Sequence, residues 1–400
     1  KKRPMATPAP ASGAETSAKE KALEGDSRSH TYIEIAHLKF ACAFDEAAKP
    51  KLLAFIKERG MAPFYKSTCE ALGWPLDQPM LAAMEAANAE ELTKLSAALE
   101  DAETNQGETE VREALLARAN FHARIGENAV AAAAYDETFA KTVAMGLRLD
   151  LLLSKVRVGL FHEDTALITS SIDKAKKLLE EGGDWERRNR LKVYEAVFLI
   201  MTRQFKKASV LLLDSVATFT ATELLPYNDF VMYTVVTSLI SLPRKELKAS
   251  IVDAPEILQV LHEIPNLGGL ISGLYECHYK VLMRSLVDIV DALKADRFFH
   301  KHVRYFYREM RVLAYTQFLE SYRSVTMASM AHSFGISAEF LDQELSGFIS
   351  ASRLSCSIDK VGSIVNSTRP DSKNAQYQAT LKQGDLLLNR VQKLSRVINM

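Results

Sequence analysis

A mainly α fold is predicted: a solenoid of helical pairs, then a winged helix, then a C-terminal bundle helix. Three observations predict it. Only 17 glycines and 12 prolines punctuate 400 residues, fewer turn-formers than an average globular chain carries. Apolar residues recur at helical spacing from Ser29 onwards. Near Ser324 the pattern shifts to short β-branched pieces between short helices.

The first 28 residues are rich in Ala, Pro, Ser, Lys and Glu and nearly empty of large apolar side chains. Such a segment cannot repay the entropy of ordering, so a mobile tail is expected over 1–28. It lacks an apolar h-region and does not read as a signal peptide. From Ser29, Ile33, Ile35, Leu38, Phe40 and Phe44 form a helix, and Leu52, Phe55, Ile56 and Met61–Tyr65 begin the next pair. Residues 84–113 set nine carboxylates against Lys94 and Arg112, a net of −7. The stripe Leu92, Leu95, Leu99 makes this a surface helix with an acidic outer face.

Residues 108–220 read as stacked pairs. Glu110–Arg124 carries Ala117, Ala119 and Phe121, Gly126-Glu127-Asn128 turns the chain, and Ala129–Thr142 returns with Ala132, Ala133, Tyr135 and Phe139. Small residues, a turn and then a large aromatic resemble a degenerate tetratricopeptide pattern. Helices follow over Arg148–Phe161, Thr165–Glu181, Asp184–Thr202 and Phe205–Phe219, with Gly182-Gly183 as a C-cap and Asp184 as an N-cap signal. Further helices are expected over Tyr227–Leu242, Pro255–Glu263, one long apolar stretch Leu267–Leu293, and His302–Tyr322, whose start carries Arg304, Arg308 and Arg311.

A short strand Ser324–Thr326, helices Met327–Phe334 and Ala338–Ser352, and a hairpin of Arg353–Asp359 and Val361–Ser367 about a tight Asp359-Lys360 turn compose the winged helix. Its second helix carries Glu339, Asp342 and Glu344 and no Lys or Arg before Arg353. Carboxylates facing phosphates oppose DNA binding, so a protein-binding winged helix is preferred, its hairpin edge able to extend a sheet. The last helix, 375–400, spaces Leu387, Val391, Leu394 and Ile398 by four, three and four, as in a coiled coil or bundle. Residues 372–400 carry a net of +4. The domain organisation expected is a tail 1–28, an arm 29–204, a helical part 205–311 leading to the winged helix 312–368, and the bundle helix 375–400.

Catalytic signatures are missing. No P-loop, GxGxxG, HExxH or GxSxG occurs. His300-Lys301-His302 is the one metal-like pair. It sits at a helix start, and Met310 stands where an isopeptidase signature needs Ser. Cys42, Cys69, Cys277 and Cys356 are scattered and read as reduced thiols. Equal counts of 50 basic and 50 acidic residues argue against a nucleic-acid coat, and no run of 18 apolar residues predicts a membrane span. No cofactor, metal or catalytic residue is expected.

A solenoid running into a winged helix is the plan of the PCI domain. The stretch LEEGGDWERRNRLKV over 179–193, REMR and AYTQFLESYRS over 308–324, FLDQELS over 340–346, and RPDSKNAQYQ and GDLLLNRVQKLSRVINM over 369–400 resemble the PCI subunits of the proteasome regulatory-particle lid. The likeness covers about Tyr32 to Met400. It implies a non-catalytic scaffold in a hetero-oligomer, supporting lid assembly and degradation of ubiquitinated proteins in cytoplasm and nucleus. Implied partners are other PCI subunits, the metalloisopeptidase pair and the base ATPases, with neither nucleic acid nor membrane. In that family winged helices pack side by side and C-terminal helices gather in a bundle. Transferred here, Leu354, Ile358, Val361 and Ile364 become the lateral contact, and Leu387, Val391, Leu394 and Ile398 the bundle stripe. The sister family, the COP9 signalosome scaffold, shares the architecture and is the alternative; a nucleic-acid-binding winged helix is the third reading.

Overall fold

The structure, a computed structural model, describes residues 30–368 and 372–398. The expected tail 1–28 and most of the break between the hairpin and the last helix lie outside the described residues. The chain divides into two compact units. One runs up to Ile264 and takes in Ala292–His302; the other comprises Pro265–Asp291 and the residues from Val303 onward.

The first unit is all helical. Its elements are α1 (His30–Ala41), α2 (Lys49–Arg59), α3 (Ala62–Leu72), α4 (Gln78–Asn105), α5 (Glu108–Ile125), α6 (Asn128–Lys141), α7 (Met145–His162), α8 (Thr165–Glu181), α9 (Trp185–Met201), α10 (Phe205–Ser215), α11 (Tyr227–Ser241), α12 (Arg244–Leu247) and α13 (Pro255–Val260). From α4 to α11 each helix packs on its chain neighbour, the arrangement of an array of helical pairs. The pairing continues across residue 204, where α9 packs on α10.

Local chemistry sets the ends. The Asp77 carboxylate caps α4 by accepting from the Met80 amide (3.4 Å), and Asp164 caps α8 by accepting from Ala166 and Leu167 (both 3.1 Å). Gly126 ends α5 at φ +88°, and a Cβ there would stand 2.8 Å from the Cβ of Phe64. Both the left-handed backbone and the close approach exclude a side chain. Asp184 occupies the N-cap of α9 as expected, but its carboxylate makes no cap bond and pairs with Arg187 instead (3.5 Å).

The acidic 84–113 segment is not one helix. Gly107 interrupts it, so its charges are shared between α4 and α5. The stripe on α4 does turn inward, with Leu99 buried and Leu92 and Leu95 half-buried. In the next pair the small contacts lie one residue away from those expected: Ala131 and Ala134, rather than Ala132 and Ala133, pack with Ala119, Tyr135, Leu151 and Val158. Tyr135 completes the contact by donating its hydroxyl to Asn120 Oδ1 (2.7 Å).

The second unit holds α14 (Leu267–Tyr275), α15 (Tyr279–Ala295), α16 (Val303–Ser321), β1 (Ser324–Thr326), α17 (Met327–Phe334), α18 (Ala338–Ser350), β2 (Cys356–Asp359), β3 (Ile364–Ser367) and α19 (Ser372–Ile398). The long helix expected over Leu267–Leu293 is two helices. Cys277 adopts φ +64° and breaks it. The chain doubles back so closely that a Cβ on Gly273 would lie 2.9 Å from the Leu282 backbone nitrogen. Gln317 stabilises the break by donating Nε2 hydrogens to the Leu274 carbonyl (3.1 Å) and to Cys277 Sγ (3.0 Å).

An aromatic cluster seats the winged helix. Phe334 at the end of α17 stacks on Tyr279 at 4.7 Å and meets Tyr315 and Phe318 edge-on at 4.9 and 5.4 Å. The sheet is antiparallel in the order β1-β3-β2. Val325, Val365 and Ile358 align across it in register.

Candidate interaction surfaces

The hairpin differs from its expected form in three ways. It begins at Cys356 rather than Arg353, because Ser352 turns at φ +55° and the Arg353 amide still donates to the Phe348 carbonyl (2.8 Å). Its loop is four residues, 360–363, rather than a tight two-residue turn. Its second strand, β3, is the middle of the sheet. The outer strands are therefore β1 and β2, and of the hairpin only β2 lies at an edge.

The expected lateral-contact residues scatter accordingly. Val361, at the loop tip, is 99% exposed. Ile358 on the edge strand and Ile364 on the central one are half-buried. Leu354 is buried in the unit's own core and presents no surface.

The carboxylates of α18 also separate. Glu344 is 9% exposed and forms an ion pair with Arg311 of α16, while accepting from the Tyr315 hydroxyl (2.7 Å). The Arg311 guanidinium lies over the rings of Tyr307 (4.4 Å) and Phe340 (5.5 Å). Asp342 receives Lys360 from the hairpin loop (3.2 Å), and Arg353 pairs with Glu309. Only Glu339 of the three is exposed without such an ion pair. Of the basic helix start read from sequence, Arg311 is spent on the buried pair with Glu344 and Arg308 pairs at the surface with Glu309, while Arg304 is exposed. Among the described residues, neither α18 nor α17 offers an unpaired cationic row to phosphates.

His300 and His302 do not converge. The His300 ring meets the Lys294 carbonyl through Nδ1 (2.8 Å), and the His302 ring meets that of Met201 through Nε2 (2.7 Å). Among the described residues no group of His, Cys, Asp or Glu could hold a metal ion, and no helix is long and apolar enough to cross a membrane.

The last helix, α19, is unlike every other. Each of its described side chains is exposed. Leu387, Val391, Leu394 and Ile398 stand in water at 66, 56, 61 and 72% exposure. Tyr377, Leu381 and Leu388 are exposed too. At about 100° per residue these seven fall within a sector of about 140°, and Leu386 and Val397, exposed as well, widen it to about 220°. That is wider than a two-residue coiled-coil seam and suits contact with more than one neighbouring helix. Spacing by four, three and four found four of these nine; the others flank that stripe on both sides. Burying a Leu, Val or Ile contributes about 1.5–3 kcal/mol each, so the face is a large unsatisfied driving force for association.

A helical arm, a winged helix held by the buried Arg311–Glu344 pair and a bare apolar helix together define a PCI scaffold. The PCI domain family matches residues 286–369. Two further families match on either side: 26S proteasome subunit RPN7 over residues 77–250, and the 26S proteasome regulatory subunit RPN7/PSMD6 C-terminal helix over 376–398. The chain is 51% identical to a 26S proteasome non-ATPase regulatory subunit 6 homolog of Arabidopsis thaliana, over 88% of this chain and 91% of that one. It is 48% identical to the 26S proteasome non-ATPase regulatory subunit 6 of Oryza sativa, over 94% and 98%. A COP9 signalosome complex subunit 1 of Arabidopsis thaliana is 28% identical over 41% of this chain and 37% of its own. The chain belongs to the family of 26S proteasome non-ATPase regulatory subunit 6, also called RPN7.

Proposed function

We propose that the chain is a non-catalytic structural subunit of the 26S proteasome regulatory-particle lid, supporting lid assembly and ATP-dependent degradation of ubiquitinated proteins. The observation that carries this reading is α19. It bears a broad apolar face with no partner among the described residues, and it coincides with the family's own C-terminal helix. Such a face is stable only when other helices cover it, so the helix acts in trans. The edge strand β2 and the exposed tip at Val361 supply a second, lateral contact with a neighbouring PCI subunit. The partners are other PCI subunits, the metalloisopeptidase pair and the base ATPases, and the assembly works in cytoplasm and nucleus. The distant signalosome likeness, confined to well under half of the chain, makes the sister complex the weaker reading.

Removing residues 375–400 tests the role of α19. The truncated chain is expected to fold and to remain outside the lid on native gels; normal incorporation would refute the role assigned to the helix. Affinity purification of the full chain with mass spectrometry separates the two complexes. Recovery of proteasomal ATPases supports the proteasome, and recovery of signalosome subunits without them overturns it.

A further inference from the structure

A cleft of about 330 Å³ opens in the first unit between α1 and the end of α7. Lys39 and Phe40 from α1, Phe64 from α3, His162, Glu163 and Arg297 line it. Arg297 is 8% exposed. Its Nε donates to Glu163 Oε1 (3.2 Å) and its Nη2 to the Phe161 carbonyl (2.8 Å). Its Nη1 is buried and makes no hydrogen bond. Arg297 thus brings a buried, incompletely hydrogen-bonded positive charge up to the wall of the cleft, with Nη1 itself sealed from solvent.

The charges around it do not balance. Glu163 is the one carboxylate on the wall. Its second oxygen is taken by Lys301 (2.6 Å), and the buried Asp296 also acts on Arg297, so three cations, Arg297, Lys301 and Lys39, stand against two carboxylates. The neighbours register the excess. Burial, then Lys39 and Arg297, push the His162 imidazole down to about 4. Burial and then Arg297 lower the Lys39 ammonium, against a smaller opposing pull from Glu163. A cleft with surplus positive potential and low-dielectric walls concentrates anions.

The rim selects among anions. The Lys39 ammonium already lies over the Phe64 ring at 4.9 Å. Phe40 meets Phe44 at 5.3 Å and His300 at 4.9 Å, and Phe44 is 68% exposed. An aromatic lip beside a buried cation fits a carboxylate carried next to an apolar side chain, better than a bare inorganic ion.

We propose that this cleft docks an acidic peptide segment of a partner protein. An Asp or Glu carboxylate of that segment meets the Lys39 ammonium within the field of the buried Arg297, and an adjoining apolar residue lies on Phe40 and Phe44. The proposal stands on the charge and shape of the arm and is independent of the reading of α19.

Fluorescence anisotropy on the full chain tests it, with a labelled octapeptide alternating glutamate and leucine and its glutamine counterpart. The glutamate peptide is expected to bind about tenfold tighter or more, as charge-assisted bonds require. Lys39→Glu should weaken it about tenfold and Phe44→Ala about threefold, with circular dichroism unchanged. Equal binding of the two peptides, or indifference to both substitutions, overturns the proposal. So does full displacement by inorganic sulfate at matched charge, which would assign the cleft to small anions. Deleting residues 1–28 should leave the affinity unchanged. A tenfold tightening would assign the cleft to the chain's own Glu20–Asp26 segment and equally overturn the proposal.

Discussion

Two helices, α9 and α19, carry comparable runs of aliphatic residues at helical spacing, yet one is core and the other is bare. On α9, Leu191, Val193, Tyr194, Val197 and Ile200 are all buried, and Arg187 and Arg190 reach out to Asp150 and Glu223. On α19, nothing described is buried. The difference teaches that periodicity identifies an apolar face without saying whether its partner is in the same chain. For α9 the partners are α7, α8 and α10. For α19 none is found among the described residues.

The largest expected effect breaks the comparison at α19. The pair Leu387→Asp and Leu394→Asp should abolish incorporation into the lid on native gels. The isolated chain's denaturation midpoint should stay within about 0.5 kcal/mol of the parent, because exposed positions lose no packing. A large loss of stability would show that the helix packs on its own chain after all.

Core positions should answer in the opposite way. Tyr194→Ala on α9 removes a fully buried ring and its bond to Glu223 (2.9 Å). A loss of about 3–5 kcal/mol is expected by chemical denaturation. Glu344→Ala leaves the Arg311 guanidinium buried without its counter-charge, and a loss of similar size, about 3–5 kcal/mol, is expected. Glu344→Gln, which keeps an acceptor for Tyr315, should cost less.

A smaller effect is the pH response of the first unit. Burial holds His37 and His162 down to about 4. Their unfolded forms bind protons between about 6.5 and 4 that the folded forms do not, so this stability is lost as pH falls through that window. Burial raises Asp296 to about 6, which works the other way: its contribution is present at low pH and lost as pH rises toward 6. Two histidines oppose one aspartate, so thermal unfolding should occur at lower temperature at pH 5 than at pH 7. His162→Gln should flatten that slope, and Asp296→Asn should steepen it. The smallest effect belongs to Arg187→Ala. It removes a two-pronged but partly exposed pair to Asp150 (3.0 and 2.9 Å), and no more than about 1 kcal/mol is expected.

Much of the fold was legible from local chemistry. Thr165–Glu181, Met327–Phe334 and the strand Ser324–Thr326 appear where spacing put them. What escaped was set by contacts distant in sequence. The break at Cys277 exists because α15 folds back on Gly273 and Gln317, 40 residues later, holds the open turn. Leu354 looked like hairpin edge because its neighbours alternate, and its burial depends on what packs over it. Glu344 looked like a solvent-facing acid until Arg311 was placed against it. The Arg297 cleft left no local signal at all, since its members come from residues 39, 64, 163 and 297.

The sequence by itself determined the helical class, most element boundaries, the site where helical pairs give way to a winged helix, and the apolar stripe of the last helix. These follow from caps, turn-formers and periodicity, which act over a few residues. Only the tertiary structure decided which charges are satisfied within the chain, which strand of the hairpin is an edge, and which apolar face remains uncovered. Those properties depend on desolvation and on partners brought together across the chain, and no short stretch of residues encodes them alone.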